Sequence, residues 1–473
     1  MRLVRFLLAA VAAFALVAAG CAGSKPAASA EDAPAPPNAG FYATLNTDRS
    51  SVQWQQVEAL LKRVPGAEGA VDKVLADALR ETGLHWEDDV APALGPEVAV
   101  VLPRSSSQPV ALVQPEDDEK LKELVSKSDQ KLVTREIEDW TALAQSESAL
   151  DAYETALTTG SLFEQPEFAA AMADLPEDAL ARVFVDGNGL SSLGANLGGL
   201  SGGLPSLGNV GTIGLAVVAE DAGVRLTGTA RRQEGLPNAF SPKLLAQVPA
   251  DALLAATFKG GDELTGQLRT SLSGLGPLLQ GFEQELGVSL ADAASLLSGE
   301  AVLYLRPSVP IPEVTLVLEQ TDPKQAITLE ALFRGLARAA KSPLETTTED
   351  GARVTRLTVG PVSVAYGAAD GRLFVTTGRG GIAAFRGDGA KLIDAPAFTS
   401  ATNNVGYAGS TSALVYADVD GLVPLLQGLA GLAGGSTSGL DDATKALGAL
   451  DSFALNVETD GIEAKLDGFL AVR

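Results

Sequence analysis

One thiol and one imidazole bound the chemistry open to this chain. Its 473 residues include a single cysteine, Cys21, and a single histidine, His85. Any Ser-His-Asp or Cys-His arrangement would have to use that histidine. His85 stands beside Trp86 at the head of the acidic run Glu87-Asp88-Asp89, and it reads as a surface or loop-packing residue. Metal sites built from several histidines and cysteines are excluded by count, whereas a carboxylate-only calcium site is not. Asp418-Val419-Asp420-Gly421 begins like a calcium loop but lacks the third acidic position and the distal Glu, so it reads as a strand end turning into a helix. Glu97 and Glu300 stand at matching places before a strand. A glycosidase pair would need both on one cleft, and a carboxylate accepting backbone N–H groups at each turn explains the repetition better. Glu116-Asp117-Asp118-Glu119 suits the positive end of a helix. Gly378-Arg379-Gly380-Gly381 lacks the Lys-(Ser/Thr) of a phosphate loop and reads as a strand-to-helix turn. The expectation is a protein that is not an enzyme, with no catalytic, cofactor-binding or metal-binding residue and no cofactor.

The thiol has a different use. Met1-Arg2-Leu3-Val4-Arg5 is basic, and Phe6 to Ala19 is an unbroken apolar run of 14 residues. That length suits a signal-peptide core and falls short of the ~20 residues that span a bilayer. Val17-Ala18-Ala19-Gly20-Cys21-Ala22 resembles the lipobox of bacterial lipoproteins, with Ala18 where Leu is commonest. The resemblance implies cleavage before Cys21, a diacylglyceryl group on its sulfur and acyl chains such as palmitate holding the protein to a membrane. The implied address is the cell membrane, lipid-anchored and facing outside the cytoplasm. Residues 1–20 are then a lipoprotein signal peptide. Residues 21–37 are the lipidated cysteine and a disordered Pro/Ala tether reaching about 50 Å.

The net charge is −24, two units more negative once Arg2 and Arg5 leave with the signal. Such a body is repelled by phosphate backbones, so nucleic acid is not an expected partner. Hydrophobic residues make up 46 % of the chain, enough for buried cores, and the length beyond the tether suits more than one domain.

Those domains repeat. Pro37-Asn38-Ala39-Gly40-Phe41-Tyr42 and Pro249-Ala250-Asp251-Ala252-Leu253-Leu254 each turn into a strand. Each is followed by a helical stretch, Val52 to Val64 and Glu263 to Leu272. Strand-and-helix pairs then recur at Pro109 to Val113 with Asp118 to Ser126, and at Val314 to Leu318 with Pro323 to Ala340. Leu162 to Phe168 matches Leu392 to Phe398, and Val183 to Gly187 matches Val415 to Val419. Each series closes on two strands, Ile213 to Ala219 with Val224 to Ala230, and Phe453 to Thr459 with Ile462 to Leu470. Two duplicated α+β lobes are expected, 38–235 and 243–473, joined by a linker at 236–242. Alternation such as Val354-Thr355-Arg356-Leu357-Thr358-Val359 suits a mainly antiparallel sheet with one solvated face and helices over the other.

Gly83-Leu84-His85-Trp86-Glu87-Asp88-Asp89-Val90-Ala91-Pro92-Ala93-Leu94-Gly95-Pro96-Glu97, the Pro-x-(Asp/Asn)-Ala entry strands and Leu162 to Phe168 together resemble domain-of-unknown-function family 3352. The resemblance covers most of residues 36–473, more clearly in the first lobe; Ala294 and Ser295 depart from the pattern in the second. It implies architecture and an envelope location and supplies no catalytic residues.

Three glycine- and leucine-rich stretches remain: Gly187 to Leu204, Leu272 to Phe282 and Gly421 to Gly435. Each Gly weakens a helix by ~1 kcal/mol relative to Ala. They read as small-residue helices packed on the sheet, or as an adaptable apolar surface. The functional expectation is a non-enzymatic cell-envelope lipoprotein acting as a binding or structural module. The alternative is a carrier of lipid or another apolar ligand between sheet and Gly/Leu-rich helices. The partners expected are the membrane through Cys21 and an apolar ligand or a protein.

Overall fold

After Glu97, the runs Val98-Ala99-Val100-Val101-Leu102 and Val110-Ala111-Leu112-Val113 carry no polar residue, the mark of strands covered on both sides. In the computed structural model both are strands, and every one of those residues is buried. The structure describes residues 33–473 except 81, 105, 107, 129–130, 188–209, 233–237, 262–282, 284–286, 309–310, 350, 361, 379 and 433–444. The signal peptide expected at residues 1–20 and Cys21 lie outside the described residues. Two compact units form, one of the chain up to Gly235 together with Ile462–Arg473, the other Leu236–Gly461. The second lobe expected at 243–473 therefore loses its last strand to the first unit.

The first unit contains β1 (Ala39–Asn46), α1 (Val52–Leu61), α2 (Ala70–Leu79), a π-helical turn (Trp86–Val90), α3 (Ala91–Leu94), β2 (Glu97–Pro103) and β3 (Val110–Val113). It continues with α4 (Asp118–Lys127), β4 (Val133–Ile137), β5 (Trp140–Ala144), α5 (Glu147–Leu157), α6 (Pro166–Met172), β6 (Ala181–Asp186), β7 (Val210–Glu220) and β8 (Gly223–Arg232). The second unit contains β9 (Leu254–Lys259), α7 (Leu290–Ser295), β10 (Glu300–Arg306), β11 (Glu313–Glu319), α8 (Pro323–Ala340), β12 (Leu344–Glu349), β13 (Ala352–Val359), β14 (Val362–Ala369) and β15 (Arg372–Thr376). It ends with α9 (Gly381–Arg386), α10 (Pro396–Asn404), β16 (Ala413–Asp418), α11 (Val419–Leu432) and β17 (Leu450–Asp460), and β18 (Glu463–Val472) returns to the first unit. Side-chain caps start the longer helices: Ser51, Asp117, Ser146 and Asp322 each accept backbone N–H groups of the first turn, and Gln325 completes a capping box with Asp322.

Among the described residues the strand pairs within each unit are antiparallel. The first unit runs β4–β5–β3–β2–β1–β6–β7–β8–β18. The second runs β12–β13–β14–β15–β11–β10–β9–β16–β17. Helices cover both faces rather than one. In the first unit Tyr42, Leu112 and Phe184 pack with Leu150 and Tyr153 of α5 and Phe168 and Met172 of α6. On the opposite face Val98, Val100 and Val113 pack with Leu94 of α3 and Leu121 and Leu124 of α4. In the second unit Leu318, Leu357 and Leu373 meet Leu329 and Phe333 of α8. Across that sheet Phe385 of α9 stacks with Tyr304 and meets Phe374 edge-on.

The end of the expected tether is also part of the fold. Ala33 and Ala35 are buried in the first core. The Tyr153 hydroxyl donates to the Pro34 carbonyl, and the Leu162 N–H donates to Ala35 at 2.8 Å. An apolar alanine rhythm between prolines docks as an extended strap once acceptors are offered to a tyrosine and a turn.

Candidate functional site

His85 and its neighbours line an open cleft of about 620 Å³ in the first unit. Gly83, at φ +67°, reverses the chain after α2. The Asp89 carboxylate then accepts the His85 backbone N–H at 2.9 Å and the Lys120 ammonium at 2.7 Å, closing the π-helical turn. The hydrogen bond from Lys120, helped by that from His85, holds the Asp89 carboxyl below the usual range. Leu75, Leu79 and Leu84 give the cleft an apolar wall, while Asp72, Glu87 and Asp88 give it negative charge. Arg49 gathers Asp72 at 2.6 Å, Glu58 at 2.8 Å and Glu87 at 2.9 Å. Burial alone would depress this guanidinium, but its hydrogen bonds to Glu58 and Asp72 hold it above the ordinary arginine range. The imidazole of His85 is exposed, and the lining holds no Ser, Thr or Cys for it to activate. Nothing in the sequence signalled the Arg49 hub, because its three carboxylates come from separate elements.

Of the paired glutamates, Glu300 holds backbone. Glu300 is buried and accepts the N–H groups of Leu244 at 2.6 Å and Lys243 at 3.1 Å. Burial pushes its carboxyl up, against the pull of those two donors. Glu97, at the start of β2, is half-buried. Asp418 ends β16 and accepts the Gly421 N–H at 2.9 Å, which starts α11. Gly378 fits against the Glu313 side chain, and Gly381 opens α9 against Thr315 and Thr376, contacts a Cβ would obstruct. Asp117 caps α4. Among the described residues no three His, Cys, Asp or Glu side chains gather as a metal site would require.

The glycine- and leucine-rich stretches are only partly visible. Gly187 and most of Gly421 to Gly435, as α11, are described; the rest of the first stretch and all of Leu272 to Phe282 lie outside the described residues. What the second unit does display is an apolar sheet face. Leu303, in the central strand β10, is 37 % exposed, and its cross-strand neighbours Ala256 and Leu316 are half-buried, as is Val415 beside Ala256. The matching Val100 of the first unit is 2 % exposed between Ala43 and Ala111.

A family model described as a protein of unknown function (DUF3352) matches residues 116–460. The chain belongs to that family. The match takes in most of the second unit and leaves out Gly83 to Glu97, the segment most characteristic of the resemblance in the sequence. No curated protein matches this family member. Two solved structures, crystal forms I and III of TP0453, resemble it at 12 % identity, covering 44 % of this chain and 83 % and 84 % of theirs. Their TM-scores of 0.23 and 0.24 are too low to carry a functional argument. Among the described residues of this family member, no helix is long and apolar enough to cross a membrane.

Proposed function

We propose that this chain is a lipid-anchored protein of the cell envelope, facing outside the cytoplasm, that acts as a binding or structural module and catalyses no reaction. The observation that carries the reading is Val17 to Ala22, a lipobox-like run around the chain's one thiol, closely followed by a body in which Ala33 is already buried. Between Cys21 and Ala33 the chain reaches about 40 Å at most, so the body would work close to the membrane. The use of charged groups supports a role without catalysis: Arg49 and Arg135 each tie three carboxylates, and Glu300 is spent on backbone. The shared order β3–β2–β1–β6–β7 and β11–β10–β9–β16–β17, with the matching sequence segments, supports descent of the two units from one duplicated lobe. Substituting Cys21 by Ser is expected to release the protein from the membrane fraction and remove the acyl mass. A variant that stays membrane-bound at unchanged mass would overturn the anchor.

The half-exposed face around Leu303 favours a second reading, a carrier of lipid or another apolar ligand. Native mass spectrometry after mild extraction separates the two. A stoichiometric lipid beyond the anchor supports the carrier, and a bare protein supports the module.

A further inference from the structure

Among the described residues the sheet of the second unit ends at β12, and the geometry of that edge fits an incoming strand. Glu349 pairs with Ala352 across the hairpin, and Gly351 sits at φ +78°. In such a hairpin the flanking pair exchanges hydrogen bonds, and bonded and non-bonded pairs then alternate. Thr347 with Val354 and Glu345 with Arg356 are the next bonded pairs. The N–H and C=O groups of Leu344, Thr346 and Thr348 therefore point away from β13, and residues 345–348 are exposed.

The same three residues share the face under α8. Leu344 packs with the Leu329 and Phe333 cluster, and Leu344 and Thr346 line a cleft of about 350 Å³ with Leu329 and Arg334. Beside it opens a second cleft of about 570 Å³, bounded by Leu344 and by Ile327, Ala331 and Arg338 of α8. Ile327 is 67 % exposed there. A strand added outside β12 would lie about 4.8 Å away and direct alternate side chains toward this second cleft. The opposite face of the edge presents Glu345 and Glu349, on a chain of net charge −24. Edge strands are commonly guarded by inward charge, Lys or Pro, and β4 carries such a guard in Arg135, clamped by Glu147, Asp151 and Glu154. β12 has none.

We propose that β12 accepts an extended segment of a partner protein by strand addition, taking aliphatic side chains toward α8 and basic side chains on the opposite face. This deepens the module reading and rests on it. It makes no use of the anchor, so loss of the Cys21 result and loss of this one are separate outcomes.

The test is fluorescence anisotropy of the full-length chain in detergent with a labelled peptide of alternating Lys and Val. Saturable binding is expected. N-methylation of the peptide backbone at alternate residues should weaken it about tenfold in the register that faces β12 and far less in the other. Thr346→Pro removes an outward N–H without touching the backbone ladder to β13 and should weaken binding about tenfold, while Thr346→Ala, which loses the same hydroxyl contact with Thr355 at 3.2 Å, stays within about twofold. Both N-methylated peptides binding like the parent overturns the proposal, as does a chain that self-associates through β12 and excludes the peptide. The peptide arm leaves the protein unaltered, so a poorly folding Thr346→Pro does not protect the idea.

Discussion

Val100 and Leu303 hold the same place in two sheets with the same central strand order, yet one is sealed and the other is open to solvent. The helices explain it. In the first unit the sheet stops two strands beyond β3, and α4 lies over the centre, with Leu121 and Leu124 on Val98, Val100 and Val113. In the second unit four strands follow β11, and α8 rests on this extension: Phe333 sits 4.4 Å from the Tyr366 ring and packs with Leu357 and Leu373. Leu79, Leu84, Val90 and Leu94 join Val100 in the core of the first unit, whereas in the second α8 packs on the added strands, of which β12 is the outermost. The first unit is finished as a scaffold, the second as a surface.

The largest test of that contrast uses one substitution in two places. Leu112 in β3 is fully buried, so Leu112→Ala should cost about 3 kcal/mol from lost transfer energy plus a cavity. Leu303→Ala removes the same atoms from a side chain already meeting water and should cost about 1 kcal/mol. Chemical denaturation of both variants measures the difference. Equal losses would mean that the face around Leu303 is covered, and the contrast between the units would fall.

A smaller effect follows from the matching glutamates. Burial raises the folded-state pKa of Glu300 above its ordinary value. A raised carboxyl contributes stability that is present below the unfolded pKa of about 4.3 and is lost as pH rises through the folded value. Glu300→Gln stays neutral and forfeits one acceptor for the Lys243 or Leu244 N–H, a loss of about 1 kcal/mol. Melting curves from pH 4 to pH 7 should therefore show wild type losing its advantage over Glu300→Gln as pH rises. A constant or widening gap would remove Glu300 from the account of how β10 is held.

Much of this fold was legible where local chemistry is strong. Pro323 to Ala340 is helical over its expected length because Asp322, Pro323 and Gln325 form a complete start signal. The edge hairpin was written there too: Leu344-Glu345-Thr346-Thr347-Thr348-Glu349 precedes Asp350-Gly351, a strong two-residue turn signal, yet only the alternation of β13 was used. Three features were not local. In the first unit the solvated face expected from alternation is covered, because helices pack on both sides of the sheet. The strap at Ala33 and Ala35 depends on a donor more than a hundred residues away, Tyr153. The exposure of Leu303 depends on what packs across the sheet, which no window around β10 contains. The expected anchor is the reverse case, read from the basic start, the apolar run Phe6 to Ala19 and the six residues around Cys21, all of them local.

The smallest test concerns how α8 is held in place over the outer strands. The helix ends at Lys341, a non-glycine residue at φ +53°, with its N–H on Ala337 and Arg338 and the Ser342 N–H on Ala337. A side chain in the left-handed region is strained, and Gly is the residue that closes such an end without cost. Lys341→Gly should therefore raise stability by about 0.5–1 kcal/mol. The α4 counterpart, Ser128, is extended at φ −69°, so Ser128→Gly should lower stability by a few tenths of a kcal/mol through unfolded-state entropy. Opposite signs from the same substitution, read as shifts in melting temperature, would show that the second unit bears strain to turn the chain from α8 into β12. Matching signs would mean that the α8 end is relaxed and that the position of the edge strand is set by packing alone.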